Sequence, residues 1–281
     1  MKVVFTYRKH LEQILSSQES LLVADQLGTE LLRSLGLSPH VTVESPNVAV
    51  LEKEWEKVLR RDSSRLVAVG GWAAASSAKA LSLRRRGSLR LREMFFEDRT
   101  PARHVVTLPL DLGFCTTVSE LSLVWDPLVP TYYVVRLDQD VVLPLEEYEK
   151  ALAADPEQYY ALSRDAQLLG LSPPPPSGRA YNMLGFCLGY ALRGPGPFFA
   201  MVLSLAALSG RTPLEASGVL RSLSSGGECP DWLLRLARRK LDYLAEHAWS
   251  YYSLFFARAG LRSRYEAFKF LRSELRGCLQ P

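Results

Sequence analysis

The chain has 281 residues, 47% of them hydrophobic and 23% charged, enough to bury a sizeable core in one large domain or two ordinary ones. Its 34 basic and 30 acidic residues leave a net charge of +4, a mild excess that suits anionic ligands without demanding nucleic acid. This composition excludes a disordered or fibrous chain, and the most apolar stretch, PFFAMVLSLAALSG from Pro197, falls short of the roughly 20 residues of a membrane span and reads as a buried helix.

The start, MKVVFTYRKHLEQIL, holds a short apolar run before charges return, unlike the long hydrophobic core of a signal peptide, so a cytoplasmic protein without membrane attachment is expected. MKVVFTY and SLLVAD are strand-like, and QLGTELLRSLG is an amphipathic helix ended by Gly36. HVTVES alternates with period two. NVAVLEKEWEKVLRRDSS places Val50, Leu51, Trp55, Val58 and Leu59 near one helical face. The buried strand RLVAVGG then breaks at Gly70 and Gly71 into an Ala-rich helix that begins near Ala73. This βαβαβα order favours a mostly parallel sheet with helices on both faces, which binds ligands at the carboxyl ends of its strands, where the two glycines lie.

The basic stretch RRRGSLRLR, Arg84 to Arg92, could meet nucleic-acid phosphates, but it lacks interleaved aromatics and is followed at once by acids, so it reads as a solvated loop. HVVTLPL is a further strand, and ELSLVWDPLVPTYYVVRLD is two strands around a Pro-bearing turn. The α/β portion closes near Leu143 and Pro144, which predicts an α/β domain over 1–144 and an all-helical domain over 145–281. Within the latter, SPPPPSG from Ser172 reads as a stiff joint. Its tyrosines, Tyr159, Tyr160, Tyr181, Tyr190, Tyr251 and Tyr252, suit a core and the interface of a homodimer.

Cys115, Cys187, Cys229 and Cys278 show no CxxC or CxxH spacing, so neither a zinc site nor a disulfide framework is indicated and reduced thiols are expected. Only Asn47 and Asn182 represent asparagine, which leans toward a thermophile. No Gly-x-Ser-x-Gly elbow occurs, and GFCLG at Gly185 lies in a helix-like run, so nucleophilic catalysis is not indicated.

Taken in order, LLVAD ending at Asp25, VESPNVAVLEK, LVAVGGWAAASSAKAL, VVTLPLDLGFCTTVSELSLVWD and RLDQDVVLP resemble landmarks of the superfamily of dehydroquinate synthase, glycerol-1-phosphate dehydrogenase and the iron-containing alcohol dehydrogenases. The likeness spans about residues 20 to 145 and is weaker around NMLGFCLGYAL. It implies a Rossmann-like α/β domain followed by an all-helical domain, an NAD(P) site on the first and a divalent metal on the second. Asp25, Gly70, Gly71, Trp72, Asp111 and Thr116 stand at positions the resemblance gives to cofactor binding.

Several positions depart from that pattern. Functional relatives carry three glycines and a serine where this chain reads Gly70, Gly71, Trp72 and Ala73, and the indole stands where close backbone approach to a pyrophosphate is needed. Trp72 reads as a plug for a vacated cavity. The acid of the turn falls on Ser76, and two threonines of the next loop fall on Leu110 and Asp111, an acid that would repel a cofactor's phosphates. Lys79 reads as a solvated helix lysine and His247 as a packed helix histidine.

For the metal, Asp155 matches the relatives' aspartate within a residue or so, but the paired histidines fall near Tyr190 and Phe198. His10, His40 and His104 lie outside the helical half, so a divalent metal is not expected. Three functions follow as expectations: a metal-free, divergent small-molecule binder or regulatory protein with an impaired NAD(P) site and its ligand between the domains; an NAD(P)-dependent dehydrogenase of an alcohol or polyol phosphate; and a nucleic-acid-associated protein using Arg84, Arg85, Arg86, Arg90 and Arg92, the least expected of the three.

Overall fold

A computed structural model describes residues 1–17, 19–97, 99–154, 156–173 and 180–279. In chain order the elements are β1 (Val3–Thr6), α1 (Leu11–Leu15), β2 (Ser20–Ala24), α2 (Gln26–Ser34), β3 (Val41–Thr42), α3 (Val48–Leu59), β4 (Arg65–Gly70), α4 (Trp72–Leu81), α5 (Leu91–Glu97) and β5 (His104–Pro109). They continue with β6 (Leu121–Asp126), β7 (Thr131–Arg136), β8 (Asp140–Pro144), α6 (Leu145–Ala154), α7 (Pro156–Leu168), α8 (Ala180–Arg193) and α9 (Pro197–Ser209). The last are α10 (Pro213–Ser224), α11 (Asp231–Arg239), α12 (Leu241–Arg258), α13 (Arg264–Glu274) and α14 (Arg276–Leu279).

Strands thus end at Pro144, and every described element from Leu145 onward is helical. The chain forms two compact units: Met1–Val129, Tyr133–Asp155 and Pro176–Ala191 in the first, and Pro130–Tyr132, Pro156–Pro175 and Leu192–Pro281 in the second. The first unit therefore includes α6 and most of α8, beyond the change from strand to helix.

The first unit is built on a six-stranded sheet of order β1-β8-β5-β4-β2-β3, every neighbour parallel. Strand alternation explains its two cores. Leu21, Val23, Leu66, Ala68 and Val105 face one side, joined there by α3, α4, α5 and residues of the β6–β7 hairpin. Leu22, Ala24, Val67, Val69, Val106 and Leu108 face the other, against α1 and α2. On α3 the buried stripe is Val48, Leu51, Trp55 and Val58, at helical spacing, and Val50 is exposed rather than part of it.

Two cysteine pairs correct the expectation of reduced thiols. Cys115 bonds Cys187 in the first unit and Cys229 bonds Cys278 in the second, with Cα atoms 5.1 and 5.3 Å apart, within disulfide reach. Their separations of 72 and 49 residues leave no local spacing from which to read them.

In the second unit α9 is buried along Pro197–Ala207, as its uniform apolarity predicts, and ends at Gly210 in the left-handed conformation. Its N-terminus is capped across space by Asp165 of α7, whose carboxylate accepts from the amides of Gly196, Phe198 and Phe199 at 2.6–3.1 Å. Among the described residues no single helix is long and apolar enough to cross a membrane. The proline-rich joint falls largely at 174–179, outside the described residues.

Candidate functional site: the glycine turn and the loop beside it

β4 enters the turn at Gly70, whose φ of +137° favours glycine, and a Cβ there would stand 2.1 Å from Asp25 Oδ1. Asp25 follows β2 directly and caps α2: its carboxylate accepts from the amides of Gly28, at 3.1 Å, and Gly71, at 2.7 Å. Burial pushes the Asp25 carboxyl above its usual range, and the amides of Gly28, Gly71, Ala74 and Leu27 pull it back. Gly28 lets α2 settle on the strand, since a Cβ there would lie 1.8 Å from the Val69 carbonyl oxygen. The Gly71 N–H, which a phosphate at the start of α4 would use, is thus already taken by an acid of the chain itself.

A second acid arrives from β5. Gly70 pairs with Pro109 in the sheet and the Leu110 amide donates to the Gly70 carbonyl at 2.9 Å, which sets the next residue, Asp111, beside Gly71. A Cβ at Gly71 would lie 2.1 Å from Asp111 Oδ2 and 2.6 Å from its Cγ, so the carboxylate rests on the bare face of that glycine. Burial first, and then the Asp111 charge, push the phenol of fully buried Tyr148 above its ordinary range. Nothing in the sequence pattern ties Tyr148 of α6 to this turn.

The loop after Asp111 is sharply wound. Gly113, Phe114 and Cys115 have φ values of +52°, +50° and +66°, a left-handed run in which two residues carry side chains. Thr116 donates from Oγ1 to the Gly113 carbonyl at 2.6 Å, and Ser119 to that of Cys115 at 2.6 Å. Thr116 is therefore fully buried, its hydroxyl turned back into its own loop.

From the other side, Lys79 donates to the carbonyls of Thr116, Ser119 and Leu121 at 2.6, 2.8 and 2.7 Å. Lys79 is fully buried, which corrects its reading as a solvated helix lysine: three loop carbonyls match the three N–H bonds of an ammonium. Burial pushes its pKa well below the usual lysine range, with Glu120 acting in the opposite direction. Gln139 adds bonds to the carbonyls of Thr117 and Ser119 and accepts from Thr107.

Asp25, Gly70, Gly71 and Asp111 thus come together, with Trp72 next in the chain and Thr116 on the adjoining loop. Trp72 opens α4 and is 8% exposed. Ser76, at the position of the missing acid, accepts from the Leu123 amide at 3.0 Å and ties α4 to β6. In the basic stretch, Arg85 pairs with Glu56 and Arg92 with buried Asp126, each at 2.7 Å.

The residues matched to the relatives' metal site do not fit a divalent ion. Tyr190 is buried and stacks on Phe186, and Phe198 is buried edge-on to Tyr160. Asp155 lies outside the described residues. His247 is mostly buried, its Nε2 2.7 Å from the Pro130 carbonyl oxygen, and burial lowers its pKa. Among the described residues no group of three or more His, Cys, Asp or Glu is placed to hold a metal.

No protein-family model matches the chain, and no curated protein matches it in sequence. Solved structures match it in fold. An iron-containing alcohol dehydrogenase from Thermotoga maritima shares 14% identity over 98% of both chains, with a TM-score of 0.70. A probable glycerol dehydrogenase from Sinorhizobium meliloti 1021 shares 12% over 100% of this chain and 98% of its own, with a TM-score of 0.64. A sulfoacetaldehyde reductase from Bifidobacterium kashiwanohense, solved with NAD+, shares 12% over 100% and 85%, with a TM-score of 0.55. The fold is that of the iron-containing alcohol and glycerol dehydrogenases, as the sequence landmarks imply.

Proposed function

We propose that this chain is a divergent protein of the dehydrogenase fold that does not use the metal-dependent chemistry and serves as a small-molecule-binding or regulatory protein, its glycine turn closed to a dinucleotide by its own carboxylates. One observation carries the reading: the Asp111 carboxylate lies on the face of Gly71. A pyrophosphate at the start of α4 would bring negative charge against Asp111 and Asp25. Two like unit charges about 4 Å apart repel by about 4 kcal/mol at the effective dielectric near a protein surface. The aromatic residues at the relatives' metal positions support the same reading.

Titration of the purified protein with NADH and NADPH, followed by tryptophan fluorescence beside elemental analysis for iron and zinc, tests it. The expected result is no saturation below millimolar cofactor and no stoichiometric metal. Micromolar cofactor binding with bound metal would instead support an NAD(P)-dependent oxidoreductase of an alcohol or polyol phosphate. The retained Gly70–Gly71 turn and a neighbour of the same fold solved with NAD+ are what favour that second reading.

A further inference from the structure

We propose that the Cys115–Cys187 disulfide is a redox latch: it holds Asp111 against Gly71 while oxidised and frees the Asp111 loop when reduced. The inference rests on the reading that Asp111 closes the turn, and adds what keeps it there. Asp111 lies four residues before Cys115, and the segment between them contains most of the left-handed run Gly113–Cys115. Gly113 is packed so closely that a Cβ would meet Thr117 Cγ2 at 2.4 Å and Asp111 Oδ1 at 3.2 Å. Side-chain-bearing residues leave the left-handed region when nothing holds them there.

The loop is held at several places, with different consequences. Lys79 and Gln139 grip the carbonyls of Thr116, Thr117, Ser119 and Leu121, downstream of Cys115, and are indifferent to redox state. The disulfide is the covalent tie at the end of the left-handed run, to Cys187 on α8. Cutting it leaves residues 116–121 anchored and 111–115 held by non-covalent bonds, from Thr117 Oγ1 to the carbonyls of Asp111 and Leu112 at 3.2 Å and from Thr116 to that of Gly113, which open as the run relaxes toward ordinary backbone angles. Asp111, at the head of that segment, moves off Gly71 as it relaxes.

The chemistry is thiol–disulfide exchange with a small dithiol or a dithiol protein. A thiolate of the reductant attacks one sulfur, the Cys115–Cys187 bond breaks, and a mixed disulfide forms. The reductant's second thiol closes on the first, so two electrons and two protons pass to the chain and the dithiol becomes a disulfide. Both cysteines are buried, so exchange follows transient opening of the loop and is slow.

The test compares the oxidised chain, the dithiothreitol-reduced chain and Cys187→Ala, by amide hydrogen exchange over 70–75 and 110–121 and by NADH titration. A Cys229→Ser/Cys278→Ser chain measured in both redox states assigns the effect to the first disulfide. Breaking the Cys115–Cys187 bond is expected to speed exchange over 110–115 at least tenfold, little at 119–121, and to raise NADH affinity at least tenfold. Unchanged exchange over 110–115 on reduction overturns the latch, whatever NADH does. Faster exchange with unchanged NADH affinity also overturns it when Asp111→Thr binds NADH more tightly, because freeing the loop has then not displaced the acid. If Asp111→Thr gains no affinity either, the reading of Asp111 as the closing group fails, and the latch proposal built on it falls with it.

Discussion

Replacing Lys79 by methionine keeps the stem that fills the interior of α4 and removes the three N–H donors. The carbonyls of Thr116, Ser119 and Leu121 would then face a thioether. A buried acceptor left without its donor costs about 1–3 kcal/mol; Gln139 still donates to the Ser119 carbonyl at 2.7 Å, so the carbonyls of Thr116 and Leu121 together give roughly 2–6 kcal/mol. Relaxation of the loop and release from burying an ammonium offset part of this, so the expected loss is about 2–4 kcal/mol. That is a large share of the roughly 5–15 kcal/mol that holds an ordinary domain together. Urea unfolding of the oxidised protein, followed by tryptophan fluorescence, reads it as a lower midpoint, with faster amide exchange over 116–121. A loss below about 1 kcal/mol would refute the reasoning, because the carbonyls of Thr116 and Leu121 would then be satisfied without the lysine.

Three further outcomes are expected. Asp25 has its carboxyl raised by burial, so its contribution to stability is full below the unfolded value of 3.8 and declines as pH rises through its folded value. Stability of the native chain minus that of Asp25→Asn, measured by urea titrations across acid pH, should therefore fall as pH rises; a difference that grows with pH contradicts this. Gly70→Ala combines a φ of +137° with a 2.1 Å clash on Asp25, whereas Gly36→Ala, at φ +72°, meets nothing within 4 Å. Thermal unfolding should show the first losing at least about 2 kcal/mol more than the second, and equal losses would remove the close approach from the account. Cys229→Ser with Cys278→Ser opens a loop of 49 residues, for which chain entropy predicts a loss of about 4 kcal/mol, read by denaturant unfolding; a change under about 1 kcal/mol speaks against this loop-entropy account.

Much of the fold is legible in the residues because its signals are local. Apolar runs such as LLVAD and RLVAVGG give β2 and β4, and Gly36 follows the end of α2. The order β1-β8-β5-β4-β2-β3 is less accessible, because β1 pairs with a strand more than a hundred residues away. The cysteine pairs escaped for the same reason, and Lys79 escaped because its acceptors lie some forty residues further on. A lone lysine in a helix is ordinarily solvated, and only the carbonyls that meet it make burial tolerable. At the turn, sequence located Gly70, Gly71 and Asp111 but showed only that an acid would be near phosphates. That it rests on Gly71 itself depends on the Gly70↔Pro109 register and the left-handed loop.

The closing role of Asp111 is tested most directly by NADH titration of Asp111→Thr beside the native oxidised chain, by calorimetry under identical salt. The substitution removes the charge that lies on Gly71 and leaves Lys79, Gln139 and both disulfides in place. Relief of a repulsion of a few kcal/mol predicts an affinity gain of at least about tenfold, reversed by Asp111→Glu. Equal, weak binding by the native chain and Asp111→Thr would contradict the account, as would tight binding by the native oxidised chain.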